Sequence, residues 1–179
     1  MSVQEANLSM KRRLGASEDH MLAGQCNLAL TYERLGQIET SLRMRREAYA
    51  KRSKLLGGEH EITLLEASNY ASDLVRLQRL EEAKSLLRKT MPVARRVLGE
   101  SHQLTLKMSW TCAAAHIKDA GATLDDLRGA VTTLEETSRT ARRVLGGAHP
   151  EVVGIETSLR YARLVLRARE ETQPSPGSG

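Results

Sequence analysis

Aromatic side chains are scarce in this chain: no phenylalanine, one tryptophan and four tyrosines among 179 residues. Leucine, alanine, valine and methionine must therefore fill whatever core it builds. Two cysteines, Cys26 and Cys112, are too few for a disulfide framework, and no secretory apolar region stands at the start. No apolar run approaches the roughly 18–20 residues that a membrane span requires, so no membrane partner is expected. Only four prolines interrupt a composition rich in leucine and alanine, which favours helix almost throughout. No glycine loop of the phosphate-binding kind occurs either. These scarcities predict one helical domain in a reducing, cytoplasmic setting, without a cofactor. The net charge of +5 and pI near 9.5 suit acidic partners.

What the chain does have is repetition. Leu14-Gly15, Leu56-Gly57, Leu98-Gly99 and Leu145-Gly146 follow one another at 42, 42 and 47 residues. A histidine sits a few residues beyond the last three pairs, at His60, His102 and His149. The hexapeptide Ala-Arg-Arg-Val-Leu-Gly occurs unchanged at 94–99 and 141–146. A period in this range marks stacked supersecondary units, none of which buries its apolar face alone.

Each period reads as two helices. Ile62, Leu64, Leu65, Ala67, Tyr70, Ala71, Leu74 and Leu77 recur at three- and four-residue steps and predict a first helix over 61–77. Leu80, Ala83, Leu86, Leu87, Met91, Ala94 and Val97 predict a second over 80–97. Gly99 stands where a left-handed C-terminal cap is wanted. Pro92, inside the second helix, predicts a kink. The first period predicts helices over 18–35 and 38–55. The third is about five residues longer around Ala122–Asp126, where Thr123-Leu124-Asp125-Asp126 would cap a helix starting near Leu127. The expected organisation is the end of a preceding or capping helix over 1–15, then repeats over 16–57, 58–99 and 100–146. A final helix over 149–171 and a disordered tail over 172–179 complete it.

Aligned on these periods, the chain resembles the tetratricopeptide repeat. Leu28-Ala29 with Tyr32, and Tyr70-Ala71 with Leu74, fit the first half of its signature. Ala83 with Leu87, and Ala130 with Leu134, fit the second half. The 42-residue period, Leu-Gly-x-x-His before the first helix and Asn-Leu-Ala or Asn-Tyr-Ala within it resemble the kinesin light chain subtype. The resemblance covers roughly 14–165. Ser41 and Arg45 depart from it, replacing the alanine and large apolar residue of the second helix. Thr111-Cys112-Ala113 and Ser158-Leu159-Arg160 replace the asparagine motif later on. The resemblance implies an all-α fold, a right-handed superhelical solenoid of antiparallel helix pairs.

It also implies a non-catalytic scaffold whose first helices line a concave groove. In that frame the groove positions are Ala23, Cys26, Leu30, Glu33 and Arg34; Leu65, Ser68, Ser72, Val75 and Arg76; and Lys107, Trp110, Ala114, Ile117 and Lys118. One position is basic three times, at Arg34, Arg76 and Lys118, a ladder able to hold carboxylates. Asn27 and Asn69 beside it offer amides to a peptide backbone. The expected ligand is an acidic or extended peptide. A kinesin-type motor complex is a further partner that the resemblance implies, although the 179 residues contain no heptad coiled coil.

Other chemistries find less support. His60, His102 and His149 lie in successive repeats, on the order of 10 Å or more apart, too far for one zinc sphere at about 2 Å. They read as polar residues near helix starts, and His116 as a packed imidazole. No base adjoins Cys26 or Cys112 in the sequence to make a nucleophilic thiolate. The second-helix arginines Arg43, Arg45, Arg46, Arg95, Arg96, Arg142 and Arg143 are expected on the outer face. Nucleic-acid binding through them is disfavoured by interspersed acids and few aromatics. Self-assembly through exposed end helices is the other alternative.

Overall fold

A computed structural model describes Glu5, Ala6 and Glu18–Thr172, with side chains from Met21 onward and at residues 5 and 6. The rest of the expected helix end over 1–15, including Leu14-Gly15, lies outside the described residues, as does 173–179. Among the described residues the regular structure is helical: α1 (Glu18–Arg34), α2 (Ile38–Leu56), α3 (Glu61–Arg76), α4 (Leu80–Leu98), α5 (Gln103–Lys118), α6 (Leu124–Leu145) and α7 (Pro150–Thr172). Glu5 and Ala6 are also helical. The chain divides into two compact units, Met1–Arg79 and Leu80–Gly179.

The repeated histidines explain where first helices begin. His60 and His102 are the N-cap residues of α3 and α5, and each Nδ1 accepts the amide two residues on, at 3.2 and 3.3 Å. His149 does the same before α7, accepting from Glu151 N at 3.2 Å, with Pro150 in the first-turn position where its missing amide costs nothing. Each imidazole thus satisfies one of the orphan amides of its helix. Accepting at Nδ1 requires the neutral ring with its proton on Nε2.

Glycines end the second helices. Gly57, Gly99 and Gly146 have φ of +82°, +89° and +85°. At Gly57 and Gly146 ψ is 165° and 148°. Those two are extended at positive φ, a region essentially reserved for glycine, and Gly99, the expected left-handed cap, also has positive φ.

The turns inside repeats follow another rule. After α1, Gly36 N donates to Glu33 O and Gln37 N to Tyr32 O, the paired bonds of a Schellman motif. After α3 the same two bonds recur at Gln78 and Arg79. There Gln78 holds φ at +58° where the earlier repeat has a glycine, at a cost of roughly 1 kcal/mol. The third-period insertion is shared between turn and helix. Asp119–Thr123 forms a longer turn, and α6 starts at Leu124, not near Leu127. Thr123 and Asp126 close a capping box at its start. The α4 helix runs through Pro92 from Leu80 to Leu98.

The two units have cores of different chemistry. In Leu80–Gly179, Leu106, Ala113, Ile117, Ala130, Leu134 and Ala141 pack with Val152, Ile155 and Ala162 of α7. Second-helix residues turned inward recur in register: Ala83, Leu87, Thr90, Ala94, then Ala130, Leu134, Thr137, Ala141. In α2 the same four positions are Ser41, Arg45, Ala48 and Arg52, and all are buried. Opposite them α3 buries Thr63, Glu66 and Asp73, where α5 has Thr105, Met108 and Ala115. A polar layer replaces an apolar one.

That layer corrects the expectation that Arg45 coats the outer face. Arg45 is 4 % exposed, with Nε 2.9 Å from Asp73 Oδ2 and Nη2 2.5 Å from Glu33 Oε2. The helical period turns the position inward whatever residue occupies it, and two carboxylates repay the desolvation. Ser41 Oγ donates to the same Asp73 oxygen at 2.8 Å. Burial pushes the Asp73 carboxyl above its ordinary range, although Ser41 and Arg45 pull it down. Arg43 and Arg46 are exposed, as expected of outer-face residues.

Candidate functional site

The first helices present one repeated solvent-facing row. Positions at i, i+4, i+7 and i+11 share a helix face. On α1 these are Ala23, Asn27, Leu30 and Arg34, all exposed. On α3 they are Leu65, Asn69, Ser72 and Arg76, of which Leu65 and Arg76 are exposed and Asn69 and Ser72 half-buried. On α5 the row is less open: Thr111 is buried, Lys107 and Ala114 are half-buried, and Lys118 is exposed. Beneath the row, Leu22, Leu28 and Ala29 of α1 and Leu64, Ala67, Ala71 and Leu74 of α3 are buried. Their burial fixes which face each helix turns outward.

Within the first unit the row is chemically mixed. Leu30 and Leu65 leave 40 % and 41 % of their surface in water, Leu30 about one turn from Arg34 and Leu65 about three turns from Arg76. Arg76 is not an unoccupied cation: its Nη1 lies 2.5 Å from Glu33 Oε1, and Glu33 also holds Arg45. One carboxylate therefore links the surface row to the buried polar layer. Among the described residues Arg34 carries no ion pair.

Several expected groove residues lie elsewhere. Ser68, Val75 and Ile117 are buried at 0 %, 5 % and 7 % exposure, because they fall on the packed faces of α3 and α5. Cys26 turns toward α3, where its thiol donates to Glu66 Oε1 at 2.8 Å. Burial and that carboxylate push the thiol up to about 12. Trp110 packs on the last helix. Its Nε1 donates to Ser158 Oγ at 2.8 Å, and its ring lies so close to Gly154 that a Cβ there would meet Cη2 at 2.5 Å. His116 is half-buried, its Nδ1 3.8 Å from Asp126 Oδ1.

Sequence reasoning missed the buried layer of Arg45, Arg52, Glu66 and Asp73, to which the half-buried Glu33 is joined. The signal was available in the repeat alignment. Ser41, Arg45 and Arg52 replace Ala83, Leu87 and Ala94, while Glu66 and Asp73 replace Met108 and Ala115. Cations on one helix and carboxylates on its neighbour changed together. Gly154 likewise stands opposite Trp110 as the only residue that its ring admits.

Comparisons with known proteins agree with this architecture. Residues 22–61 and 67–104 match the tetratricopeptide repeat family model. No curated protein matches the chain. A Podosopora anserina protein, described as a kinesin light chain with nearly identical TPR-like repeats, has been solved in two forms. Its singly substituted form is 21 % identical at a TM-score of 0.66, covering 96 % of this chain and 86 % of that one. The form without that substitution gives a TM-score of 0.64 at the same identity and coverage. BtubC (BKLC) from P. vanneervenii is 14 % identical at a TM-score of 0.67, over 98 % of this chain and 75 % of that one.

Proposed function

We propose that this chain, which matches the tetratricopeptide repeat family model over 22–61 and 67–104 and shares its fold with kinesin light chain-like structures, binds a short acidic, extended peptide along the outward row of α1 and α3. Repeats of this family generally serve as non-catalytic scaffolds for protein partners. The observation that carries the finer reading is the exposed set Asn27, Leu30 and Arg34 beside Leu65 and Arg76. It combines apolar contact, an amide and cations, the mixture that a peptide with carboxylates would use. Glu33 fixes Arg76 at the edge of this row, which lowers the entropy lost on binding. Asn69 and Ser72 belong to the same row on α3, and Lys107 and Lys118 occupy the corresponding positions of α5, whereas Trp110 is packed on α7 and drops out of the expected set. A cytoplasmic adaptor, with a kinesin-type motor among its partners, is the sharpest form of the proposal.

The test is a titration of labelled acidic and scrambled basic peptides against the protein and its R34E/R76E/K118E variant. Saturable acidic-peptide binding that weakens with salt is expected, with one binding component lost in the folded variant. Equal binding by the variant, or none by the wild type, would overturn the proposal. Retention of a kinesin heavy chain on the immobilised protein would sustain the motor assignment, and its absence would remove it.

A further inference from the structure

The opposite side of α5 opens into a second recess that the first-helix row does not use. Leu106, Ser109, Cys112 and His116 line its floor. The last three fall about 180° around the helix from Lys107, Ala114 and Lys118. The walls are α4 and α6. Two adjoining cavities of about 430 and 350 Å³ share Arg95 and Thr133, so they form one trench. Along α4 it runs from Lys84 to Arg95, about 16 Å of helix, or about five residues of extended chain.

Its two ends differ. Leu87, Met91 and Pro92 of α4, with Cys112, make one end apolar. Thr133, Thr137, Thr140 and Ser109 make the other polar. Four cations border the trench: Lys84, Arg88, Arg95 and Arg139. Lys84 is committed to Asp119 and Glu81, and Arg95 has a 3.3 Å contact with Glu100. Glu100 and Glu136 are the acids of the lining. Arg88 and Arg139 are exposed and carry no ion pair among the described residues.

Pro92 adds a backbone acceptor. It has no amide, so the Arg88 carbonyl one turn earlier lacks its usual helical donor. A helix wall normally offers an extended peptide nothing to bond; this one has an acceptor beside the cavity.

We propose that this trench between α4 and α6 is a second binding site, for an acidic peptide with an apolar residue at one end. The apolar residue seats against Leu87, Met91 and Pro92. The carboxylates pair with Arg88 and Arg139, and a peptide amide donates to the Arg88 carbonyl. Charge complementarity selects the occupant: four cations line the trench against two carboxylates, Glu100 and Glu136, and each wall carries one arginine without an ion pair among the described residues.

Fluorescence anisotropy with a labelled peptide of one leucine followed by four glutamates tests this. The R88E/R139E variant, and the milder R88Q/R139Q, should weaken binding about tenfold or more, with folding checked by circular dichroism. R34E/R76E should change it less than about threefold. The bound peptide should also slow alkylation of Cys112 by iodoacetamide, followed by mass spectrometry. No saturable binding below about 1 mM would overturn the proposal. So would binding that R34E/R76E abolishes while both Arg88/Arg139 variants retain it, which would return the ligand to the first-helix row.

Discussion

Cys26 and Arg45 show how far a single side chain's surroundings govern its chemistry. Cys26 lies on a helix face that sequence periodicity leaves open, yet its thiol is a donor to a buried carboxylate. A thiol raised from the ordinary 9.0 to about 12 has about a thousandfold less thiolate at pH 8. Burial is the larger cause and Glu66 the second. The E66Q variant removes the negative charge while keeping an acceptor of the same shape. Iodoacetamide should then label Cys26 several-fold faster than in the wild type, with the label located by mass spectrometry. An unchanged rate would assign the whole shift to burial.

At the scale of helices, the packing of α2 on α3 rests on Ser41, Arg45 and Asp73, where later repeats use alanine and leucine. Removing Asp73 leaves the buried Arg45 with one carboxylate, the half-buried Glu33, and leaves the Ser41 hydroxyl without its acceptor. D73A should therefore cost about 3–5 kcal/mol. Replacing the group together is different, because the apolar version already exists in this chain. The S41A/R45L/D73A variant takes the residues of Ala83, Leu87 and Ala115. It should match or exceed the wild type in chemical denaturation. A triple variant no more stable than D73A would show that the polar layer is optimised beyond what simple packing replaces.

Helices are the most legible level of the sequence. Leucine and alanine at three- and four-residue steps locate α1 to α4 within a residue or so, since core-facing periodicity survives even where the chemistry changes. The boundary at Leu124 escapes that reading because Thr123 and Asp126 form a capping box that shortens the turn to five residues. Candidate site residues are less legible. Asn27, Leu30, Arg34, Arg76 and Lys118 are exposed as the repeat frame implies. Ser68, Val75 and Ile117 are not, because they lie one position toward the packed side of their helices. Arg45 is misplaced for a complementary reason: charge suggests solvent, whereas the partners that bury it are distant in sequence.

Across the whole molecule, near-identical repeats raise a question of order. Segments 38–56 and 80–98 are both 19-residue helices, and similar turns flank them. Replacing the first by the second would preserve helix length and repeat consensus. It would also strip Asp73 of Arg45 and take Arg52 out of the layer that buries Glu66, leaving carboxylates buried beside apolar side chains. The chimaera should lose about 3–5 kcal/mol or fail to fold. Adding E66M and D73A, the residues of Met108 and Ala115, should recover stability in thermal denaturation. A chimaera as stable as the parent would mean that the layer does not discriminate between helices.

The outer face of α7 carries the same logic to another place in the repeat frame. Where α3 has Leu64, Ala67, Ala71 and Leu74, α7 has Val153, Glu156, Arg160 and Arg163. Glu156 pairs with Arg142, and Arg163 with Glu135. An apolar helix of the interior kind would have to break those pairs to dock there.

The buried polar layer therefore acts on the history of the chain as well as its stability. Duplicated segments recombine easily, and their products can slip by one repeat during synthesis or refolding. A slipped pairing in which α5 or α7 takes the place of α3 beside α2 would trap two guanidinium groups against methyl and methylene surface. The layer makes one adjacency tolerable and the alternatives costly, so a chain written in nearly repeating words keeps a unique reading order.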